Sequence, residues 1–275
     1  MTTTLRPSEP LQQHADGTRS RRYRVCVNGR PVGAVHLSTH PVLGPAVARI
    51  LDLSVDGPDR GRGRGTVAAL AAEEVVRGWG CKQIEAVVPA EAAAALRLIT
   101  ALGYVERSRG MEKQLGTTAP GLPAGSRGRP MTEAEYEAWI ARSRTAYVQS
   151  RIDRGVPADR ARALAEKDYA RLLPQGPATP DMLLSVLEHE GTPVGTLWVA
   201  TAADRGAYVY DVEVDERFRG RGHGRSLMLL AEAQAMAAGR HVLGLNVFAG
   251  NTPAERLYES LGYRPVLHGF YKELI

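Results

Sequence analysis

The stretch ERFRGRGHGRSLMLLAEAQAMAAGR, Glu216–Arg240, places glycines at 220, 222 and 224 and arginines at 217, 219, 221 and 225 ahead of a run dominated by Ala, Leu and Met. The run favours helix. The glycines permit positive φ and let backbone approach a ligand closely. The first amides of a helix lack carbonyl partners and lie at the positive end of its dipole. The pattern therefore predicts a helix over 222–238 with an anion site for phosphate or pyrophosphate at its mouth. Arg219, Arg221 and Arg225 add charge there.

An earlier stretch, DRGRGRGTVAALAAEEVVRGWG at Asp59–Gly80, repeats this design. Shifting the chain by 159 residues aligns 52–115 with 211–274 without a gap, and 23 of 64 positions are identical. Asp52 falls on Asp211, Arg60 on Arg219, Gly63 on Gly222, Gly65 on Gly224, Glu73 on Glu232 and Lys113 on Lys272. Farther upstream, Gly29–Gly33 resembles Gly191–Gly195 at a slightly larger shift. The chain is a duplication of a unit of about a hundred residues, not a short-period solenoid.

At 275 residues, with 44% hydrophobic and 24% charged residues, the chain has the make-up of a soluble globular protein. Its +5 charge is modest and carried by arginine, with lysine only at 82, 113, 167 and 272. Arginines gathered in glycine loops point to local anion sites and away from nucleic acid. No window is long and apolar enough to span a membrane, and the polar opening MTTTLRPSEPLQQHADGTRSRR lacks the apolar core of a secretory signal. Cys26 and Cys81 form neither a disulfide framework nor a metal motif, so a cytoplasmic home is expected. No metal is expected: His36 and His40 have ligand-like spacing but no carboxylate helix beside them. A homodimer is left open.

The chain divides into a disordered leader (1–21), a first copy (22–115), a Gly/Pro/Ser-rich linker (116–130) and a second copy (131–275). Thr132 and Glu135 form a capping-box pattern ahead of a helix that Gly155 stops. A second helix runs over 158–173. MLLSVLEHE, PVGTLWVAT and AYVYDVEVD read as strands, HVLGLNVF as a buried strand after the glycine-loop helix, and 252–261 as a helix ended by Gly262. YRPVLHGFYKEL supplies two short final strands. Each copy is thus α+β, a mixed, mostly antiparallel sheet flanked by helices. The helix pair has no counterpart in the first copy.

A phosphate-binding loop of nucleoside triphosphatases would need Gly-Lys-Ser/Thr, and a dinucleotide fold would need G-x-G-x-x-G with a later acid. Neither pattern is present. VDERFRGRGHGRSLM and NTPAERLYESLGY instead resemble the GNAT superfamily of N-acetyltransferases, in its coenzyme A loop V-x-x-x-x-R-x-x-G-x-G/A and its segment N-x-x-A-x-x-x-Y-x-x-x-G-F/Y. The resemblance covers nearly all of 130–275 and is weaker over 22–115, where the loop is intact. The tandem arrangement is similar to mycothiol synthase-like proteins.

The resemblance implies acetyl-CoA as cosubstrate and direct transfer of acetyl to a small-molecule primary amine in the second copy. Arg219, Gly220, Arg221, Gly222, His223, Gly224 and Arg225 would receive the diphosphate. Asn251 would contact the coenzyme, and backbone near Val212 or Val214 would hold the oxyanion. Tyr258 matches the tyrosine that protonates the leaving thiolate. Asp211 is the first candidate base and Glu213 the second, with Tyr208 or Tyr210 positioning a water. A bulge usual in this strand would interrupt its alternation of faces. In the first copy Ile99 replaces Tyr258 and Ala92 replaces Asn251. Its Arg60, Gly63 and Gly65 keep the loop, so it is read as degenerate, binding acyl-CoA without turnover or only shaping a cleft. Trp139, Arg144 and Tyr147 on the helix pair are candidates for the amine pocket. Two other functions stay open: a non-catalytic acyl-CoA sensor, and a protein-lysine acetyltransferase.

Overall fold

A computed structural model describes residues 2–202 and 206–274. The chain forms two compact units, one of Met1–Ser108, Arg154–Val156 and Leu267–Ile275, the other of Arg109–Asp153 and Pro157–Val266. Both are α+β, each with one parallel strand pair beside antiparallel ladders.

In the first unit β1 (Thr3–Pro7), β2 (Gln12–Gln13), β3 (Arg19–Val27), β4 (Arg30–His40) and β5 (Gly44–Val55) precede α1 (Arg64–Gly78), β6 (Gln83–Pro89), α2 (Ala93–Ala101) and the start of β7 (Val105–Gln114). Residues expected to be a disordered leader instead form an edge strand: β1 runs along β3 from Thr3 opposite Val27 to Pro7 opposite Tyr23. An edge strand needs one backbone ladder and little apolar surface, and Leu5 alone packs on the core. That core gathers Val25, Val35 and Leu37 from the sheet, Ala68, Ala72 and Val76 from α1, and Ile99 from α2.

The second unit contains β8 (Ser126–Pro130), α3 (Glu133–Ile152), α4 (Ala158–Leu172), β9 (Met182–His189), β10 (Thr192–Ala200), β11 (Ala207–Val214), α5 (His223–Ala237), β12 (Val242–Phe248), α6 (Thr252–Ser260) and the start of β13 (Arg264–Glu273). The end of the expected linker is β8, paired with β9. Its Gly128 is a packing glycine, because a Cβ there would meet Leu230 Cδ1 at 2.4 Å. The capping box of α3 is formed: Thr132 Oγ1 accepts from the Glu135 amide at 3.3 Å, and Glu135 Oε2 accepts from the Thr132 amide at 2.8 Å. Where two short final strands were expected, β13 is one continuous strand of ten residues.

The closing strands are exchanged between the copies. In the first unit β6 is followed by the end of β13, with Leu267 opposite Pro89 and Glu273 opposite Gln83. In the second unit the edge of β12 is taken by β7. The repeat equivalences therefore cross. Lys272 of the second copy bonds both carboxylate oxygens of Glu73 at 2.8–2.9 Å. Lys113 of the first copy bonds both oxygens of Glu232 at 2.7–2.8 Å. Met111 and Phe270 cross likewise, into the second and first cores. The expected domain limits at 115 and 131 thus do not bound the compact units. A repeat comparison sees which strand resembles which, and is blind to which partner each takes.

Candidate active site

The site of the second unit is built on β11. Asp211 lies opposite Trp198, but the next pair is Val209 with Val199, so Tyr210 is the extra residue of a bulge. Opposite residues share a face. Hence Tyr208, Asp211 and Glu213 share the face of Thr196, Trp198 and Ala200, while Val209, Val212 and Val214 share that of Gly195, Leu197 and Val199. The valine face packs into the core with α5. Without the bulge, Tyr208 would lie opposite to Asp211 and Glu213. On β11's other edge, the parallel ladder with β12 covers only Ala207–Val209. The backbone of 210–214, including Val212 and Val214, lies beyond that ladder, at the edge where a ligand can take strand-like hydrogen bonds.

Just past this edge the chain turns through Glu216–Phe218 into the glycine loop. Gly220 and Gly222 have φ of +76° and +88°, and Gly222 is the N-cap of α5. Gly224 lets α5 meet α6, since a Cβ would be 3.2 Å from Leu257 Cδ2. The arginines are tied locally. Arg219 Nε donates to the Val214 carbonyl at 3.3 Å, Arg221 lies over Phe218 at 5.7 Å, and Arg225 donates to Ser260 Oγ at 2.6 Å. His223 was expected at the anion site. Its imidazole is buried, 5.0 Å from that of His189, and burial pushes its pKa down. What it can offer an anion is its backbone amide. The first unit repeats the loop: Gly63 is the αL N-cap of α1, Gly65 touches Leu98, and Arg60 Nε donates to the Val55 carbonyl at 2.7 Å.

Asn251 is the N-cap of α6, its Oδ1 accepting from the Ala254 amide at 3.4 Å. Two turns on, Tyr258 is buried with its ring 6.1 Å from Tyr263. Burial, then the charge of Asp211, pushes the Tyr258 phenol up. Burial also pushes the Asp211 carboxyl above the usual range, partly opposed by the Trp139 indole, which donates to Oδ2 at 3.1 Å, and reinforced by Glu213.

The helix pair packs as an aromatic layer. Trp139 is 1% exposed and meets Trp198 edge-on at 5.5 Å, while Tyr210 stacks on Trp198 at 4.7 Å. Tyr147 donates to Asp168 at 2.5 Å, and Arg144 lies over Tyr169 at 5.6 Å. So Trp139 orients Asp211, whereas Tyr147 and Arg144 brace α3 against α4. Beside Glu213 a cleft of about 410 Å³ is lined by Glu135, Arg142, Thr196 and Asp215, among others. The sequence reading missed Trp198 and Arg142. Trp198 shares the two-residue alternation of Thr196 and Ala200, the only sequence signal of its face; Arg142 had none.

Elsewhere, His40 Nδ1 accepts from the Val42 and Leu43 amides, and the Cys81 thiol is buried and donates to the Pro45 carbonyl. Among the described residues, no group of three His, Cys, Asp or Glu side chains is placed to hold a metal, and no helix is long and apolar enough to cross a membrane.

The acetyltransferase (GNAT) family model matches the chain twice, over residues 2–104 and 151–263. The uncharacterized N-acetyltransferase YycN of Bacillus subtilis is 30% identical over 141 residues, 49% of this chain and 90% of YycN. A GCN5-related N-acetyltransferase from Sphaerobacter thermophilus shares the fold with a TM-score of 0.60 at 20% identity, over 92% of this chain and 80% of its own. A tandem GNAT protein from the clavulanic acid biosynthesis pathway superposes with a TM-score of 0.50 at 20% identity, over 94% of this chain and 84% of its own. Two copies of one fold, each with an arginine–glycine loop between a bulged strand and a helix, thus carry the family signature, and the chain is a tandem member of the GNAT N-acetyltransferase family.

Proposed function

We propose that the second unit transfers acetyl from acetyl-CoA directly to a small-molecule primary amine. One observation carries this reading: Asp211, its carboxylate held by the Trp139 indole at 3.1 Å, lies on the stretch of β11 beyond the β12 ladder that leads to the glycine loop and the N-terminus of α5, and its charge reaches the buried Tyr258 phenol. The amides of the glycine loop fit a diphosphate. The free edge at 210–214 suits the thioester arm and, near Val212 or Val214, its carbonyl oxygen. A fixed N–H aimed at a developing oxyanion is worth about 3–4 kcal/mol in enzymes where it has been removed.

The amine nitrogen forms the new amide bond as the C–S bond breaks. An alkylammonium of pKa about 10.4 costs roughly 4–5 kcal/mol to deprotonate at pH 7. Asp211 receives that proton, directly or through a water. Its raised pKa makes it a stronger base than an ordinary carboxylate, and Trp139 fixes Oδ2 so that the other oxygen is available. The departing sulfur takes the Tyr258 proton. The Tyr258 phenol, pushed up by burial, is protonated at neutral pH as an ordinary tyrosine is, and so carries the proton the thiolate needs. A second assignment of the base has its own support: Glu213 is exposed and lines the 410 Å³ cleft, whereas Asp211 is held by Trp139.

The test is thiol release from acetyl-CoA with a panel of small amines and a lysine peptide. Turnover with small amines supports the proposal, and turnover with the peptide alone moves the acceptor to protein lysine. Acetyl-CoA binding without thiol release from any acceptor makes the protein a sensor. D211N and E213Q, assayed side by side, identify the base by which one flattens the acid limb of the rate profile.

A further inference from the structure

The first unit contains a cavity of about 420 Å³ whose lining includes Asp52 and Ile99, the counterparts of Asp211 and Tyr258. It opens where the β5–β6 ladder ends at Ile50 and Ala86, beside a bulge that leaves Leu51 as the extra residue, the counterpart of Tyr210. A cavity of this size belongs to the range that takes small molecules. At five wall positions the second copy carries more bulk or a polar group, while Ile50 and Leu53 are each one methylene larger than Val209 and Val212. Ala69, Ala86, Val87, Ala92 and Ile99 stand where the second copy has Met228, Leu245, Asn246, Asn251 and Tyr258. Each of these five changes removes bulk or a polar group, and the Met-to-Ala, Leu-to-Ala and Tyr-to-Ile changes outweigh the two added methylenes. Of the lining residues only Asp52 and Tyr104 carry a charge or a hydroxyl, and Tyr104 is not a displaced Tyr258, because the second copy has Tyr263 at its place. Leu51 and Val87, which line the cavity, stay 44% and 57% exposed, an apolar surface without a cover.

We propose that this cleft binds the acyl chain of a medium-chain acyl-CoA and holds it without turnover. The inference rests on the acyl-CoA reading of the fold but not on catalysis in the second unit. At about 30 Å³ for a water-sized group, the cavity has room for roughly a dozen such groups, enough for the thioester end of the arm and a chain of about six to ten carbons. The loop of Arg60, Gly63 and Gly65 remains for the diphosphate. Ile99 has no proton to give a leaving thiolate. Loss of the phenol at 99 and loss of bulk at 69 and 86 thus go together: the slot that would present a short acyl group for transfer has become one that retains a long one.

The experiment is calorimetric titration of the full chain with octanoyl-CoA, acetyl-CoA, CoA and sodium octanoate, using the native protein and A69M/A86L, which restores the second copy's bulk. Each buried methylene can add up to about fourfold in affinity. Octanoyl-CoA is expected to bind at least ~30-fold tighter than acetyl-CoA, a small part of that ceiling for six further methylenes. A69M/A86L should bring the two within about threefold while thiol release from acetyl-CoA is unchanged. V87D, at an exposed lining position that tolerates a charge, is the second variant and should cut octanoyl-CoA binding at least ~10-fold. Equal affinity of the native protein for octanoyl- and acetyl-CoA overturns the proposal, as does a preference that survives both variants. Octanoate binding as tightly as octanoyl-CoA overturns the thioester assignment. Octanoyl-CoA preference in a protein that acetylates no amine supports this inference and removes only the catalytic one.

Discussion

Arg60 and Arg219 make the same bond in the two units, from guanidinium Nε to the carbonyl that ends the bulged strand. Gly33 and Gly195 answer the same constraint: a Cβ would lie 2.2 Å from the Ser54 carbonyl oxygen in one and 2.5 Å from that of Glu213 in the other. Ile99 and Tyr258 share no such constraint. Both are buried on the last helix of their copy, yet only one can move a proton. The residues shared by the copies build the loop, the bulge and the close strand approach. Those that differ line the cleft. Duplication has kept the scaffold in both units and a phenol at this position in only one.

The largest effect that can break this comparison is at the phenol. Y258F should lower the rate of acetyl transfer by about 10³-fold, within the usual range for loss of a positioned acid. Acetyl-CoA affinity should change less than twofold. I99V in the first unit, which trims the side chain at the matching position, should leave the rate alone. Steady-state rates beside calorimetric binding decide it. A Y258F rate near that of the native protein would mean the phenol only packs.

The exchanged lysines come next. K113M leaves Glu232 buried with no cation, for which a loss of about 3 kcal/mol is expected. K272M should cost less, because Glu73 keeps Arg77 at 3.9 Å, while the residue matching Arg77 in the second copy is Met236. Denaturant unfolding measures both. A double-mutant cycle sharpens the point: K113M should couple to E232Q and be additive with E73Q, the partner its own repeat would predict.

Asp211 offers a contrast of activity with stability. Its pKa is raised in the folded chain, so its contribution to stability is complete at pH below its unfolded value and is lost as pH rises through the native one. At neutral pH the partly desolvated carboxylate is therefore a cost. D211N should leave the melting temperature unchanged or slightly higher at pH 7.5, with the difference closing as pH falls, while the rate drops at least ~10-fold. Asp52 is exposed in the first copy, and D52N should change neither.

How much of this was legible in sequence follows from the range of each interaction. The loop, the helices after it and the caps are local, set by residues within a turn of one another. The bulge could be expected only through resemblance, because one extra residue shifts a face without marking the sequence. Trp139 reads as core from helical spacing, but its bond to Asp211 joins positions 72 residues apart. Strand exchange lay out of reach because Lys113 and Lys272, like Glu73 and Glu232, are identical in the two copies, and identical residues cannot say which pairs with which. The leader and linker were misjudged for a related reason. β1 and β8 are edge strands whose stability comes from the ladder of a neighbour and from single contacts such as Leu5 and Gly128, with no periodic apolar face to betray them.

The smallest effect concerns α3, which the first copy lacks. Its capping box is tied to the sheet: Arg129 donates to both oxygens of Glu135 at 2.7 Å and to Glu188 at 2.6 Å. The Arg129 guanidinium, with Thr132, holds the Glu135 carboxyl down at about 2. That contribution is complete above the ordinary carboxylate pKa and is lost as pH falls toward 2. T132A removes one of the two reciprocal bonds and should cost about 1 kcal/mol. Because α3 also carries Trp139, the loss should appear twice: as a small drop in thermal midpoint and as a shift in the acid limb of the rate profile through a less firmly held Asp211. If the midpoint fell and the profile stayed put, α3 would be a support for the sheet and no part of the tuning of the base.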